Sequence, residues 1–349
     1  MRSGLVEATF DVAELVGYRY RTDDYYEVGR EKIREYARAV QDFHPAHWSE
    51  AAADELGYAG LVAPTTFIST AAMLANRRIL ETIMVGYDVF VQTDQVFEIY
   101  KPVLTGDRLV SDVELTSVRR IAGKDLLTIT NTFTDRSGDV VQIMHTTVVG
   151  ITGEDVDAGI TDAIDRVIMH GMDAASRNAT APADGDGPLV TAPETGLQLS
   201  QFSRTRTPRT ALRFDDIAVG DELPVRTARV TRGDLVNYAG VSGDANPIHW
   251  HDQVAALAGL PDVIAHGMLT MGLGAGFVTG WLGDPGAITR YGVRLSNYTV
   301  VESAASGNVE FTGRIKSVDP ETRTAVVVIV AKSAGRKIFG LATADVRLA

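Results

Sequence analysis

The feature that most constrains this chain is an internal repeat. Tyr36, Asp42, Pro45, His47 and Trp48 recur as Tyr238, Asp244, Pro247, His249 and Trp250, every pair 202 positions apart. Thr65 and Gly267 fall at the same offset. Two copies of one unit must therefore fit into 349 residues, and such copies are expected to pack against each other as a pseudo-dimer. The order of patterns within each copy says what the unit is. Ile33, Tyr36, Ala37 and Val40 make an apolar stripe at helical spacing, and a longer helix is expected from about Thr65 to Ile83. The period then changes to that of strands, at Phe90–Tyr100, Arg108–Arg119, Asp125–Asp135 and Val140–Gly150. From residue 213 the order returns. A strand at Val225–Val230 is followed by a helix opened by Thr231 with Asp234 three further on, then a short helix at Gln253–Ala258 and a long one from His266 to about Trp281. Strands are expected at Ile288–Val301, Gly307–Val318, Thr324–Lys332 and Lys337–Leu348. Helices followed by runs of strands indicate an α+β fold with antiparallel sheets.

The stretch between the copies differs in kind. Asp173–Gly196 is rich in Ala, Gly, Asp, Pro and Thr and poor in large apolar residues, the composition of a linker without a core of its own. A helix over Thr161–Met169 is expected before it. The division is then residues 1–150, a linker at 151–210, and residues 211–349. Arg204, Arg206, Arg209 and Arg213 follow the linker as a basic run, to be read either as a solvated tail or as a docking surface for an acidic carrier protein.

Chemistry concentrates in Tyr238-Ala-Gly-Val-Ser-Gly-Asp-Ala-Asn-Pro-Ile-His-Trp250, followed by Ala265-His-Gly-Met-Leu269. Asp244 and His249 lie five apart, a spacing that a helix would splay but a kinked loop at Gly243 and Pro247 can aim into one cleft. Gly267 falls in the first turn of a helix, where backbone N–H groups lack intrahelical partners and can bind a negative oxygen. A base, an acid and an oxygen-binding donor are what the removal of water beside a thioester requires, with Asn246 available to orient one of them. Each half of the pattern alone is as well explained by turn formers and a packing histidine.

Together the two motifs resemble the hydratase-2 signature of the MaoC-like dehydratases, a hot-dog family. Residues 211–349 resemble the catalytic subunit of the (3R)-hydroxyacyl-ACP dehydratase of mycolic-acid-type fatty acid synthesis, and residues 18–150 its partner subunit. The resemblance implies a double hot-dog fold, each antiparallel sheet wrapped around a long helix. It implies catalysis by Asp244 and His249 and thioester-oxygen binding by the Gly267 N–H, with Asn246 and His266 beside them. It also implies an acyl-ACP substrate within type II fatty acid elongation, other enzymes of that synthesis as possible associates, and a first half that shapes the acyl channel. Asp42, His47 and Thr65 are then a second or vestigial site. Three other readings use the same residues: a (3R)-specific enoyl-CoA hydratase, a thioesterase, and a non-catalytic acyl-carrier binding protein.

Composition narrows the remainder. The net charge of −12 argues against nucleic-acid binding. It is −7 over 1–150, −7 over 151–200 and +2 over 201–349, so the half with the strong motif least repels an acidic carrier or the phosphates of CoA. Zero cysteines exclude disulfides and thiolate chemistry. The seven histidines show no metal-site spacing, and no Gly-rich nucleotide loop follows a strand, so neither a metal nor a cofactor is expected. No apolar run approaches the roughly 18–20 residues of a membrane span, and the first ten residues lack a signal-peptide core. A cytoplasmic enzyme is expected, an intramolecular pseudo-dimer with further association into a homo-oligomer left open.

Overall fold

The computed structural model describes residues 12–83, 87, 89–151, 159–167 and 197–349. In chain order these form β1 (Arg19–Arg21), β2 (Tyr26–Glu27), α1 (Arg30–Ala39), α2 (Glu50–Glu55), α3 (Ser69–Ala75) and α4 (Arg77–Ile83). Four long strands follow: β3 (Val89–Ile99), β4 (Arg108–Ile121), β5 (Lys124–Thr134) and β6 (Asp139–Ile151). Next come α5 (Ile160–Val167), β7 (Gln198–Leu199) and α6 (Phe202–Thr205). The second half comprises β8 (Glu222–Val230), α7 (Arg232–Ser242), α8 (Asp252–Leu257), α9 (Gly267–Leu282), β9 (Ile288–Leu295), β10 (Gly307–Asp319), β11 (Thr324–Ser333), β12 (Arg336–Lys337) and β13 (Phe339–Arg347). The expected linker core, Asp173–Gly196, lies outside the described residues.

All strands join one sheet in the order β1-β4-β5-β6-β3-β9-β13-β11-β10-β8, with β2, β7 and β12 attached to β4, β6 and β11. Among the described residues every pairing is antiparallel except β6 with β7. The halves meet edge to edge through β3 and β9, where Val96 faces Gly292. That contact removes one exposed strand edge from each half. The sheet curls around helices on its inner side, so the chain is a double hot-dog.

The helices show why the two halves bind each other. The Ile33, Tyr36 and Val40 stripe of α1 is fully buried and packs α1 on α7, with the Tyr36 and Tyr238 rings 6.2 Å apart. Lys32 Nζ donates to the Val241 carbonyl at 2.5 Å, and Gln41 Nε2 to the Arg229 carbonyl at 2.8 Å. Thr231 and Asp234 form the expected capping box at the start of α7. A single apolar core then runs through both halves, with a satellite cluster of the first half alone around Ile79, Ile83 and Ile129.

The long helices are not alike. In the second half α9 is one helix of 16 residues. In the first half the expected Thr65–Ile83 helix is not continuous: Thr65–Ile68 are turns, α3 starts at Ser69, and the chain breaks between α3 and α4 at Asn76. A buried polar contact accompanies the break, because Asn131 Nδ2 donates to Asn76 Oδ1 at 2.6 Å.

The glycines of α9 are placed by packing. A Cβ at Gly272 would lie 2.7 Å from Val40 Cβ, one at Gly276 3.2 Å from Asp42 Cγ, and one at Gly274 2.7 Å from the Tyr291 hydroxyl. Gly272 and Gly276 therefore let the first half approach, and Gly274 the second-half sheet. The basic run after the linker is likewise a latch. Arg206 Nη2 pairs with the fully buried Asp284 at 2.9 Å and stacks on Tyr58, Arg209 donates to the Glu55 carbonyl, and Arg213 pairs with Asp216. Three of its four arginines are thus engaged within the chain.

Candidate active site

The repeated loops fold alike. Pro45–His47 and Pro247–His249 are both single 3-10 turns, capped by His44 Nδ1 and Asn246 Oδ1 accepting from the backbone N–H two residues on. Proline at the first position of each turn presets φ there. His47 Nδ1 lies 2.6 Å from the Val62 carbonyl, and His249 Nδ1 lies 2.8 Å from the Ile264 carbonyl. A carbonyl only accepts, so both Nδ1 atoms carry a proton.

In the second half the Asp244 carboxylate, His249 and His266 each bring one ligand atom within 4.8 Å of the others. Gly243 allows this by taking φ +81° at the end of α7, which turns the chain sharply before Asp244. The Asp244 carboxylate accepts from the Asn246 N–H. His266 stacks on His249 with centroids 3.8 Å apart, and its Nε2 lies 3.2 Å from the Asp244 carbonyl. Its Nδ1 is buried without a hydrogen-bond partner. Burial pushes the His249 imidazolium below its ordinary range, against the opposing pull of Asp244 and the Ile264 carbonyl. Burial and the neighbouring His249 push His266 down much further. Both rings are thus neutral near pH 7, and the pair offers a lone pair beside a carboxylate. The same spacing is compatible with a divalent cation, which the sequence alone did not suggest.

Gly267 opens α9, and His266 caps that helix without a side-chain hydrogen bond, leaving first-turn N–H groups free of intrahelical partners. A Cβ at Gly267 would lie 2.6 Å from Leu295 Cδ1 and 3.7 Å from Gln92 Oε1. Gln92 belongs to the first half, so this helix end is flanked from both halves.

The first-half pair is closed. Asp42 Oδ2 and His47 Nε2 are 3.3 Å apart, poorly aligned for a hydrogen bond, and the residues are 3% and 0% exposed. Burial alone would raise the Asp42 carboxyl, but His47 and the His44 backbone N–H outweigh it and hold it below the usual range. Gly276 of α9 lies against Asp42, and His44 Nε2 lies 3.0 Å from the Gly283 carbonyl at the end of that helix. Thr65 is buried four residues before α3 begins, so no helix N-terminus stands where Gly267 stands in the other half.

Known proteins match this chain in the same two parts. A family profile described as "FAS1-like, dehydratase domain region" covers residues 14–144, and "MaoC like domain" covers 216–333. A solved "MaoC-like dehydratase" is 55% identical, covering 97% of this chain and 100% of its own, with a TM-score of 0.90. The chain belongs to the MaoC-like dehydratase family. A "UPF0336 protein" of Mycolicibacterium paratuberculosis is 46% identical over 151 residues, 43% of this MaoC-like chain and 95% of that protein. A conserved hypothetical protein of Mycobacterium tuberculosis with a double hotdog fold is 14% identical, covers 95% of this chain and 96% of its own, and has a TM-score of 0.60; it shares the fold. As a MaoC-like dehydratase the chain is a hydro-lyase in general terms. No helix among the described residues is long and apolar enough to cross a membrane.

Proposed function

We propose that this dehydratase removes water from (3R)-3-hydroxyacyl thioesters carried on acyl carrier protein, giving trans-2-enoyl thioesters during fatty acid elongation. The observation that carries the reading is the contrast between two copies of one loop: Asp244 is half-buried with His249 beside a helix N-terminus, whereas Asp42 and His47 are sealed under α9. His249 Nε2, neutral and aimed by Ile264, takes the C2 proton, and the electron pair moves to form the C2–C3 double bond as the C3–O bond breaks. Asp244 orients the departing hydroxyl group, and the proton that His249 took from C2 is handed to that hydroxyl, so water leaves and both side chains return to their starting state. The Gly267 N–H stabilises negative charge on the thioester oxygen at the positive end of α9. Asn246 holds the loop through its cap, and His266 packs the imidazole from behind.

In this reading the first half supplies room for the acyl chain. Leu74 is the repeat equivalent of Gly276, which lies against Asp42. By that equivalence Leu74, with Met73 beside it on α3, is the first-half counterpart of the helix surface that adjoins the repeated loop. Both side chains are exposed, Leu74 by 62%, and the break at Asn76 ends the helix just beyond them. An apolar surface open at that point suits an acyl chain.

Hydration of a medium-chain trans-2-enoyl thioester by wild type, Asp244→Asn, His249→Ala and His47→Ala tests the assignment. Asp244→Asn and His249→Ala should lose at least about 100-fold in kcat, the scale of a general acid or base, and His47→Ala should retain turnover. Equal losses in His249→Ala and His47→Ala would mean two working sites. Comparing ACP and CoA thioesters of one chain length tests the carrier, with ACP expected to give the higher kcat/KM. Release of free thiol would instead mark a thioesterase.

A further inference from the structure

Gln92 and Gln95 are three residues apart on β3, so a regular strand would point them to opposite faces of the sheet. They meet instead: Gln92 Nε2 donates to Gln95 Oε1 at 2.8 Å. The cause is a bulge. β3 pairs Gln92 with Val148 but Asp94 with Thr147, leaving Thr93 as the extra residue. One extra residue flips the parity of everything before it. Without it, Gln92 would lie on the outer face with Asp94, which pairs there with Arg294. With it, Gln92 reaches the first turn of α9, its Nε2 3.6 Å from Met268 Sδ and its Oε1 3.7 Å from the Cβ position of Gly267.

The orientation of this amide follows from its neighbours. Gln95 is 1% exposed, and its Nε2 donates to the His145 carbonyl at 3.1 Å. Its Oε1 therefore faces two donors, Thr146 Oγ1 at 2.9 Å and Gln92 Nε2. Gln92 is thus held with its nitrogen inward and its oxygen towards Gly267. Among the described residues no hydrogen bond reaches that oxygen. A half-buried, fixed acceptor without a donor stands beside the helix end, on the half opposite the catalytic loop.

We infer that Gln92 Oε1 accepts the N–H of the first amide of the substrate's pantetheine arm, making Gln92 a specificity-determining residue contributed by the first half. This rests on the function proposed above, in which the Gly267 N–H binds the thioester oxygen. The next polar group along the arm, two methylenes beyond sulfur, is a secondary amide. Its N–H needs an acceptor once buried, and the arm is common to CoA and acyl carrier protein.

The test compares two short trans-2-enoyl thioesters differing in one group. One carries N-acetylcysteamine, which has the amide. The other carries 2-mercaptoethyl acetate, in which oxygen replaces the N–H. Wild type should favour the amide substrate in kcat/KM by about three- to tenfold, the scale of one neutral hydrogen bond. Gln92→Met, which keeps the length and removes the acceptor, should bring that ratio to about one, with the change mainly in KM. Gln95→Met, which releases the anchor, should reduce the ratio part-way, and this second variant keeps the test decisive should Gln92→Met fold poorly. A wild-type ratio near one, or a ratio unchanged in both variants, overturns the inference and leaves the dehydratase reading standing. Failure of wild type to hydrate either thioester overturns both.

Discussion

Two glycines of one helix should respond to the same substitution with opposite signs. Alanine at an exposed helical glycine is favourable by about 0.5–1 kcal/mol, because glycine has more backbone freedom to lose. Gly280 of α9 is exposed, and a Cβ there meets nothing within 4 Å, so Gly280→Ala should stabilise by about that amount. At Gly272 the added Cβ would meet Val40 Cγ1 at 2.5 Å and Val40 Cβ at 2.7 Å. Val40 is fully buried at the end of α1, and its Cβ is fixed to the backbone, so a rotamer change cannot clear it. The halves must move apart locally, an overpacking cost of about 1–3 kcal/mol that outweighs the helical gain. The midpoints of urea unfolding for the two variants should therefore fall on opposite sides of wild type, separated by about 1–3 kcal/mol once the slopes are applied. The comparison is internal to one helix, so helix propensity cancels. Gly272→Ala as stable as Gly280→Ala would refute the claim that Gly272 exists to admit the first half.

Other perturbations follow from the same contacts. Asp284→Asn strands Arg206 beside a neutral group at a fully buried position where Tyr58, Arg209 N–H and Gly286 N–H also converge; a loss of about 3–5 kcal/mol is expected in chemical unfolding. His249 and His266 both have folded-state pKa values below their ordinary 6.5. Below that value the unfolded chain binds protons that the folded chain refuses, so stability should be full above about pH 6.5 and fall as pH drops, by up to about 1.4 kcal/mol per pH unit per histidine. His266→Phe should flatten that slope, as read from unfolding midpoints between pH 7 and 5. The same depressed His249 value predicts a kcat/KM profile whose acidic limb lies below pH 6.5, and a limb above it would contradict a buried, neutral base.

What the sequence disclosed were local patterns with fixed offsets. Asp244, His249 and Gly267 are separated by turns that proline, glycine and a helix start dictate, so their spacing implies convergence. The repeat offset located Asp42 and His47 as structural equivalents. Neither carries information on what lies opposite in space. Gly272, Gly274 and Gly276 are indistinguishable in the sequence as glycines of one helix, yet two face α1 and its following loop and one faces the sheet. Sequence could not tell the arginine run from a docking surface, because Asp284 and the Glu55 carbonyl, which take Arg206 and Arg209, are 78 and 154 residues away in the chain. Gln92 left only a faint signal: two glutamines at odd spacing in an apolar strand, which register alone could turn to one face.

The asymmetry of the repeat follows from a single helix. If α9 fills the space over Asp42 by means of Gly276, the equivalent space over Asp244 can stay open only if the other helix does not fill it. The first half meets that condition twice. It places Leu74 where a glycine would allow close packing, and it starts α3 four residues later than α9. Leu74 is exposed, and α3 ends at Ala75, just before the break at Asn76. The buried Asp42–His47 pair then becomes part of the foundation: His44 caps α9, Asp42 packs on Gly276, and α9 presents Gly267 from its opposite end. One copy of the loop thus holds the helix whose other terminus adjoins the second copy, a structural use for the buried aspartate and histidine of the first.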